Sequence, residues 1–164
     1  KGRQVAVIGG GNSAGEESLF LARFVDKVTI LVRGPEMTAS KIVIDKVAVN
    51  PKIEVRYNTE VAQLHGESKL SGITIRNRET GLTETINPAG AFVFIGLSPN
   101  SGWLPAEVKR DKYGFITTNA MLETSLSGVF TAGDVRQGST KQAASAVGEG
   151  ATAALMIREY LKNM

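Results

Sequence analysis

The hydrophobic pattern of the chain opens with a short apolar run that leads into a cluster of glycines. Residues 4–8 are nearly all apolar, which predicts a strand buried on both faces of a parallel sheet. Ser13 and Glu16 have the spacing of a capping box, so we expect a helix to begin at Ser13. The β-branched residues 28–32 predict a second strand and complete a β–α–β unit. The residues expected to pack the helix on the sheet are Leu19, Phe20 and Phe24.

A second helix and a third strand follow in the pattern. A short helix is predicted within residues 38–49, with Ser40 as its cap and Asn50-Pro51 as its stop. Its apolar positions are Ile42, Ile44, Val47 and Val49. Alternating apolar residues predict a third strand over residues 53–57.

The next part of the chain alternates between apolar and polar residues. Residues 60–64 form a short apolar stretch, and two alternating segments at 70–76 and 82–86 flank the turn at 79–81. Alternation on both sides of a turn predicts an antiparallel hairpin. Residues 91–95 are apolar throughout, so we expect the chain to return there to the buried parallel sheet.

The last third of the chain has a different pattern. Short strands are predicted at residues 113–117 and 129–134, and the longest helix at residues 140–161. Gly148 and Gly150 weaken a helix, so we expect them to pack closely against a backbone or a flat ligand. The apolar side of this helix is expected to consist of Ala143, Ala146, Val147, Ala151, Ala154, Leu155 and Ile157.

Composition limits the class of protein. A length of 164 residues suits one domain or two small ones, and the turn-rich residues 96–100 favour a boundary between domains at 1–96 and 97–164. The chain has no cysteine, which excludes disulfides and thiolate metal sites within it, and we expect a cytoplasmic protein. It begins almost directly with a strand, so we expect it to be a piece of a longer protein.

The charge pattern and the hydropathy exclude two kinds of partner. The formal charge is +3, but the lysines and arginines are scattered and few aromatic residues accompany them, so no nucleic-acid partner is expected. No run approaches the roughly 18 apolar residues of a membrane span, so no membrane partner is expected.

The glycine cluster carries the clearest chemistry. Gly9, Gly11 and Ala14 have the spacing of the dinucleotide-binding fingerprint, placed between a predicted strand and a predicted helix. Glycine allows close backbone approach, and the helix N-terminus offers free N–H groups to an anion. We therefore expect a pyrophosphate at this turn, bound by residues that include Gly10, Asn12 and Ser13.

The end of the second strand normally selects the dinucleotide. Arg33 and Gly34 stand there in place of the carboxylate that binds a ribose hydroxyl. A guanidinium matches a 2′-phosphate, so Arg33 favours NADPH, although an arginine that simply faces solvent is the alternative. The single histidine, His65, has no acid–base partner identifiable from sequence and is predicted to be a surface turn residue, and no catalytic triad or metal-ligand cluster is found.

Four blocks of sequence resemble the thioredoxin reductase-like flavoproteins. They are Gly9–Glu17, Ile95-Gly96-x-x-Pro99-Asn100, Gly128–Asp134 and Lys141-Gln142-Ala143. The resemblance implies an α/β fold: a Rossmann-like parallel sheet with an antiparallel β-meander in a three-layer ββα arrangement, followed by a partial FAD-domain segment. Residues 1–96 would bind NADP(H), and residues 97–164 would be the C-terminal segment of the FAD-binding domain.

The resemblance also implies roles for particular residues. Gly133 and Asp134 would lie at the FAD, with Asp134 bonded to the ribityl chain, and Lys141, Gln142 and Ala143 would meet the isoalloxazine edge. Ile95 and Gly96 would also contact cofactor, and Glu17 would lie near the nicotinamide. The sequence departs from the family where Gly34 and Thr38 replace basic residues, for which Lys41 is a candidate substitute.

The activity implied is hydride transfer from NADPH to FAD, with electrons passed to a disulfide on a redox protein such as thioredoxin. The redox-active Cys-x-x-Cys of the family would precede Lys1, and the first FAD glycine motif is absent, so this chain alone is expected to be inactive. A homodimer is expected. The alternatives are a ferredoxin or flavodoxin reductase and a non-catalytic nucleotide-binding module.

Overall fold

The computed structural model describes residues 2–164, which divide into two compact units at Gly96 and Leu97. We describe each unit by itself. The first unit contains seven strands and two helices, and the second contains one long helix preceded by loops. The assignment of the two units to two different nucleotides stays a prediction at this point.

A four-stranded parallel sheet forms the centre of the first unit. Its strands are β1 (Gln4–Ile8), β2 (Lys27–Leu31), β3 (Ile53–Arg56) and β7 (Ala91–Val93), in the order β3-β2-β1-β7. The predicted parallel pairing of residues 91–95 with the sheet is confirmed. Their predicted burial is wrong, because Val93 is 54% exposed and Ile95 is 75% exposed on an edge strand.

An antiparallel sheet packs on one face of the parallel sheet. Its strands are β4 (Thr59–His65), β5 (Gly72–Asn77) and β6 (Thr83–Ile86), and the predicted hairpin is the β5–β6 pair. Ile73 and Ile75 of β5 form a core cluster with Ala6 and Leu31 of the parallel strands. Side chains of a strand alternate between its two faces, so the neighbouring residues of β1 and β2 face the other way.

Two helices cover the opposite face. They are α1 (Asn12–Leu21) and α2 (Lys41–Ala48), and their buried residues share a core cluster with alternate residues of β1 and β2. The members of that cluster are Val5, Val7, Ala14, Ala22, Val28, Ile30, Val32, Met37, Val43 and Val47. The predicted three-layer α/β arrangement is therefore confirmed.

Helix α1 differs from its prediction in its first residue and in its buried side. It begins at Asn12 with Gly11 as N-cap, and no capping side-chain hydrogen bond occurs within residues 2–164 at this end, so the predicted capping box is wrong. Phe20 and Phe24 are half exposed and contact each other edge to face instead of packing on the sheet. The buried side of α1 consists of the small residues Ala14, Gly15 and Ser18.

The second unit is held together mainly by turns. The strands predicted at 113–117 and 129–134 are wrong, because residues 97–142, all of them described, contain only isolated bridges such as the one between Ile116 and Arg136. Helix α3 spans Ala143–Lys162, and Ala153 is its one buried residue. Most of the predicted apolar side is exposed, and a methyl group added at Gly148 or Gly150 meets no described atom within 4 Å. Close packing of these glycines against a described backbone is therefore not seen, and packing against a flat ligand stays a prediction.

Candidate functional site

A large cavity of the first unit lies at the carboxyl ends of the parallel strands. Its volume is about 810 Å³, and it opens between the β1–α1 turn and the loop after β2. The lining residues are Ile8, Gly9, Gly10, Gly11, Asn12, Ser13, Leu31, Val32, Arg33, Gly34, Glu36, Thr38, Thr59, Glu60, Val61, Phe94, Ile95 and Gly96. We call this cavity the cleft. Ligands of open α/β sheets bind at this edge, so the fold places the predicted glycine turn where a ligand is expected.

Gly9 is required by the packing of the backbone itself. Its φ is +139°, and a Cβ added there would lie 2.2 Å from the carbonyl oxygen of Phe94. The Gly9 N–H donates to the Leu31 carbonyl at 3.0 Å, and the Phe94 N–H donates to the Ile8 carbonyl at 2.7 Å. The turn therefore packs between β2 and the segment after β7, and no space is left for a side chain at Gly9.

Gly11 is in a different position. Its φ is −86°, and the atom nearest to an added Cβ is the Thr38 hydroxyl oxygen at 3.9 Å. Nothing in the protein interior therefore requires glycine at this position. Gly11 lines the cleft and is the N-cap of α1, so the absent side chain leaves the helix N-terminus open to a ligand.

Asn12 and Gly10 connect the turn to the start of α2. The Asn12 amide oxygen accepts a hydrogen bond from the Ser40 N–H at 2.6 Å. The Gly10 carbonyl accepts from the N–H groups of Thr38 and Ala39 at 2.8 and 3.1 Å. These bonds fix the turn against the loop that forms the opposite side of the cleft.

Two residues predicted to bind cofactor lie outside the cleft. Ala14 is fully buried in the core cluster beneath the helices, and Glu17 lies one turn further along α1. No role was predicted for Gly15, yet a Cβ added there would lie 2.3 Å from Cγ1 of Val43. Gly15 therefore supplies the close packing between α1 and α2.

Arg33 and Gly34 lie at the rim of the cleft, as predicted. Arg33 is exposed, and its guanidinium makes no ion pair or hydrogen bond with any residue in the part of the chain that the structure describes. Its donors are therefore available to an anion. The carboxylates of Glu36 and Glu60 share this rim, which the sequence analysis did not find.

Glu60 is held by arginines of the antiparallel sheet. Its carboxylate accepts from Nε of Arg76 at 2.9 Å and lies 3.5 Å from Nε of Arg78. The hydrogen bond from Arg76 is the main cause that lowers the pKa of Glu60, and the charges of Arg76, Arg78 and Arg33 add to it. Glu60 is therefore ionised and neutralised at neutral pH.

The predicted flavin residues of the second unit lie at a turn and at the start of α3. Gly133 has a φ of +81°, and its N–H donates to Oε2 of Glu149 at 2.7 Å. Asp134 is exposed, and within residues 2–164 its carboxylate has no hydrogen-bond or ion-pair partner. Gln142, the N-cap of α3, and Ala143, its first residue, are exposed.

Lys141 has an internal role that the sequence did not suggest. Its ammonium donates to the carbonyls of Asp134 and Arg136 and lies 4.1 Å from the centre of the Phe115 ring. A cation over an aromatic face is attracted by the ring. Lys141 therefore holds the turn after Gly133, and its contact with a cofactor stays a prediction.

Glu149 fixes the same turn from α3. It accepts hydrogen bonds from Nε and Nη2 of Arg136 and from the Gly133 N–H. The hydrogen bond from Arg136 is the largest cause that lowers the pKa of Glu149 to about 2. The turn that carries Asp134 is thus tied to α3 by a charged pair with little exposure.

His65 lies at the end of β4. Its Nε2 is 2.7 Å from the Thr74 hydroxyl on the neighbouring strand. Groups of acidic, histidine and cysteine residues able to hold a metal ion do not occur within the described part of the chain. Likewise, no helix among the described residues is long and apolar enough to cross a membrane.

The cleft, its glycine turn and the β–α–β unit can be compared with known proteins. The model of the family described as pyridine nucleotide-disulphide oxidoreductase matches residues 1–150. The chain belongs to this family. The description of the family names a pyridine nucleotide and a disulphide oxidoreductase activity.

Individual relatives agree with the family match. The thioredoxin reductase of Streptomyces clavuligerus is 39% identical over 98% of this chain and 50% of its own length. The NADPH-dependent thioredoxin reductase 3 of Arabidopsis thaliana is 41% identical over 98% of this chain and 31% of its own length. The crystal structure of Lactococcus lactis thioredoxin reductase in its FR conformation matches with a TM-score of 0.84 and 31% identity, over the whole chain and 55% of that protein. The chain thus spans about a third to a half of the relatives it matches.

Proposed function

We propose that the first unit binds NADPH in the cleft. The pyrophosphate would lie at the turn of residues 9–13, where the N-terminus of α1 presents free N–H groups. The 2′-phosphate would pair with Arg33, whose guanidinium has no partner among the described residues. The observation that carries this proposal is Gly11, which lines the cleft as the N-cap of α1 and leaves the helix N-terminus open although no neighbouring atom excludes a side chain there.

The second unit would complete an FAD site in a longer protein. Its residues fit such a group, because Asp134 has a free carboxylate for a hydroxyl and the first turn of α3 is exposed. When bound, the flavin would supply the hydride acceptor and the electron carrier. The N-terminus of α3 would stabilise negative charge at the ring edge, and the Glu149–Arg136 pair would keep Asp134 in place.

The longer protein would then be an NADPH-dependent flavoprotein that reduces a disulfide, with a thioredoxin-like protein as acceptor and a homodimer as its assembly. The relatives reported above carry names of this activity, and they favour it over a ferredoxin or flavodoxin reductase. A longer protein that is colourless and takes up no added FAD would favour the non-catalytic module instead.

The nucleotide proposal is tested with the Arg33→Ala variant. A charge-assisted hydrogen bond contributes about 1.5–3 kcal/mol, so we expect the dissociation constant for NADPH to rise about tenfold or more. The constant for NADH should stay within about twofold, because NADH has no 2′-phosphate. Binding is measured by titration of the 164-residue chain with each nucleotide.

Arg23→Ala is the matched control. Arg23 is an exposed arginine that follows the opposite end of α1, away from the cleft. The control should bind both nucleotides as the unmodified chain does. Equal weakening of NADPH and NADH by Arg33→Ala would contradict the phosphate role of Arg33.

A further inference from the structure

A cluster of charged residues lies between the cleft and the antiparallel sheet. Arg78, which follows β5, donates from Nη1 to the main-chain carbonyl of Arg33 at 3.2 Å. Its Nε lies 3.5 Å from the carboxylate of Glu60. Arg33 and Glu60 both line the cleft, so the Arg78 guanidinium lies between two cleft residues that are 27 positions apart in sequence.

We propose that Arg78 is a second phosphate-selecting residue of the cleft, and that it acts with Arg33 on the 2′-phosphate of NADPH. Arg78 holds the main chain of Arg33 with one donor and presents its other donors to the same anion. This inference rests on the proposed function of the first unit.

The donors of Arg78 are available for this role. A guanidinium has five N–H donors in a fixed fork, which suits bidentate binding of phosphate. Arg78 uses its Nη1 for the Arg33 carbonyl, and the separation of its Nε from Glu60 exceeds an ordinary hydrogen bond. Its side chain is 44% exposed, so an anion can reach it.

The backbone holds Arg78 in register with the loop after β2. The Arg78 N–H donates to the Asn58 carbonyl at 2.7 Å, and the Asn58 N–H donates to the Gly34 carbonyl at 2.9 Å. The Thr59 N–H continues this pairing with the Val32 carbonyl at 2.9 Å. A change in the position of Arg78 would therefore also move the loop that carries Arg33.

The positive charges near Glu60 outnumber the negative ones. The guanidinium groups of Arg76 and Arg78 contact the Glu60 carboxylate, and Arg33 and the Glu36 carboxylate line the same cleft. Arg76 donates to Glu60 from both Nε and Nη2, so it neutralises that carboxylate. The positive charges of Arg33 and Arg78 are then not fully neutralised by a carboxylate among the described residues. This compensates for the basic residues that the loop lacks at Gly34 and Thr38.

The test compares Arg78→Met with Arg76→Met. Both variants remove one positive charge beside Glu60 and keep an apolar side chain, but only Arg78 contacts Arg33. We expect Arg78→Met to raise the dissociation constant for NADPH about tenfold and that for NADH no more than about twofold. Arg76→Met frees the Glu60 carboxylate but leaves Arg78 in place, so it should raise the dissociation constant for NADPH by less than about threefold and leave that for NADH unchanged. Competition by adenosine 2′,5′-bisphosphate should weaken in Arg78→Met, while competition by 5′-AMP should not.

The outcomes separate this inference from the proposed function. If Arg78→Met leaves NADPH binding unchanged, or weakens NADPH and NADH equally, the inference is overturned while the nucleotide cleft stands. If Arg76→Met has the same selective effect as Arg78→Met, a general charge effect replaces the specific role and overturns it as well. If the unmodified chain binds neither nucleotide, the proposed function fails and the inference fails with it.

Discussion

The glycine turn allows structural and ligand-binding roles to be separated by two similar substitutions, Gly9→Ala and Gly11→Ala. A methyl group at Gly9 would lie 2.2 Å from the Phe94 carbonyl oxygen, whereas one at Gly11 would come no closer than 3.9 Å to a described atom. Both glycines line the cleft, and they are two residues apart. The dinucleotide-binding fingerprint includes both glycines and does not distinguish their roles. The structure does, because only Gly9 lies against closely packed backbone.

We expect Gly9→Ala to destabilise the first unit strongly. A side chain at a φ of +139° costs about 1–3 kcal/mol, and forcing a methyl into closely packed backbone costs about 1–3 kcal/mol more. The expected loss is therefore about 2–6 kcal/mol. Gly11→Ala should change the free energy of unfolding by less than about 1 kcal/mol, because the small capping cost is offset by the lower entropy of the unfolded chain.

Nucleotide binding should respond most clearly to Gly11→Ala, the substitution that leaves the stability almost unchanged. The methyl of Gly11→Ala would enter the cleft at the N-terminus of α1, so this variant should stay folded and lose at least about tenfold in NADPH affinity. Stability is read from hydrogen–deuterium exchange of β1 and β2, which reports the first unit alone. A Gly9→Ala variant with unchanged exchange protection, or a Gly11→Ala variant with unchanged NADPH affinity, would refute the reasoning.

Two further substitutions test other contacts. Glu149→Gln should destabilise the second unit at pH 7. A pKa lowered from 4.5 to about 2 corresponds to about 3 kcal/mol, which solvent screening reduces to about 2 kcal/mol. Because the folded-state pKa is the lower one, this stability is present above pH 4.5 and is lost as the pH falls towards 2, so the melting temperatures of variant and unmodified chain should converge there. Gly15→Ala should lower the melting temperature through its overlap with Val43, and Val43→Ala in the same chain should restore part of the loss; no restoration would contradict the packing role.

The first unit could be predicted from sequence because local signals agreed with one another. A buried strand, a glycine turn and a β-branched strand at the right spacing specify a β–α–β unit almost without reference to the rest of the chain. The alternation on both sides of residues 79–81 indicated the hairpin in the same way. The family match agrees with the three-layer fold that these signals indicated.

The predictions failed where the packing of the folded chain decides which residue caps a helix and which side chains are buried. The capping box was wrong because α1 starts at the turn itself, with Gly11 as the cap, which places Ser13 inside the first helical turn. Phe20 and Phe24 were assigned to the core by their hydrophobicity. The close approach of α1 to α2 admits only small residues such as Gly15, so the aromatic rings lie outside.

For a similar reason, the sequence predicted only some of the residues that line the cleft. The glycine turn and Arg33 follow strands that local patterns predict, but Glu60 lines the cleft from the antiparallel sheet, and Arg78 contacts the Arg33 main chain. The contact of Arg78 with Arg33 crosses 45 positions of sequence, and no periodicity indicates it. The strand predicted at 129–134 is not formed, because Phe130 makes a single bridge with Glu123 and no ladder follows from it.

The central claim is that the glycine turn binds the pyrophosphate of NADPH. The most direct test is a titration of the isotope-labelled 164-residue chain with NADPH, followed by amide NMR. The account predicts saturable shifts of the backbone amides of residues 10–13, together with the Arg33 amide, because these N–H groups lie at the N-terminus of α1 or at the rim of the cleft. Shifts confined to other parts of the first unit, or no shifts at millimolar NADPH, would contradict it.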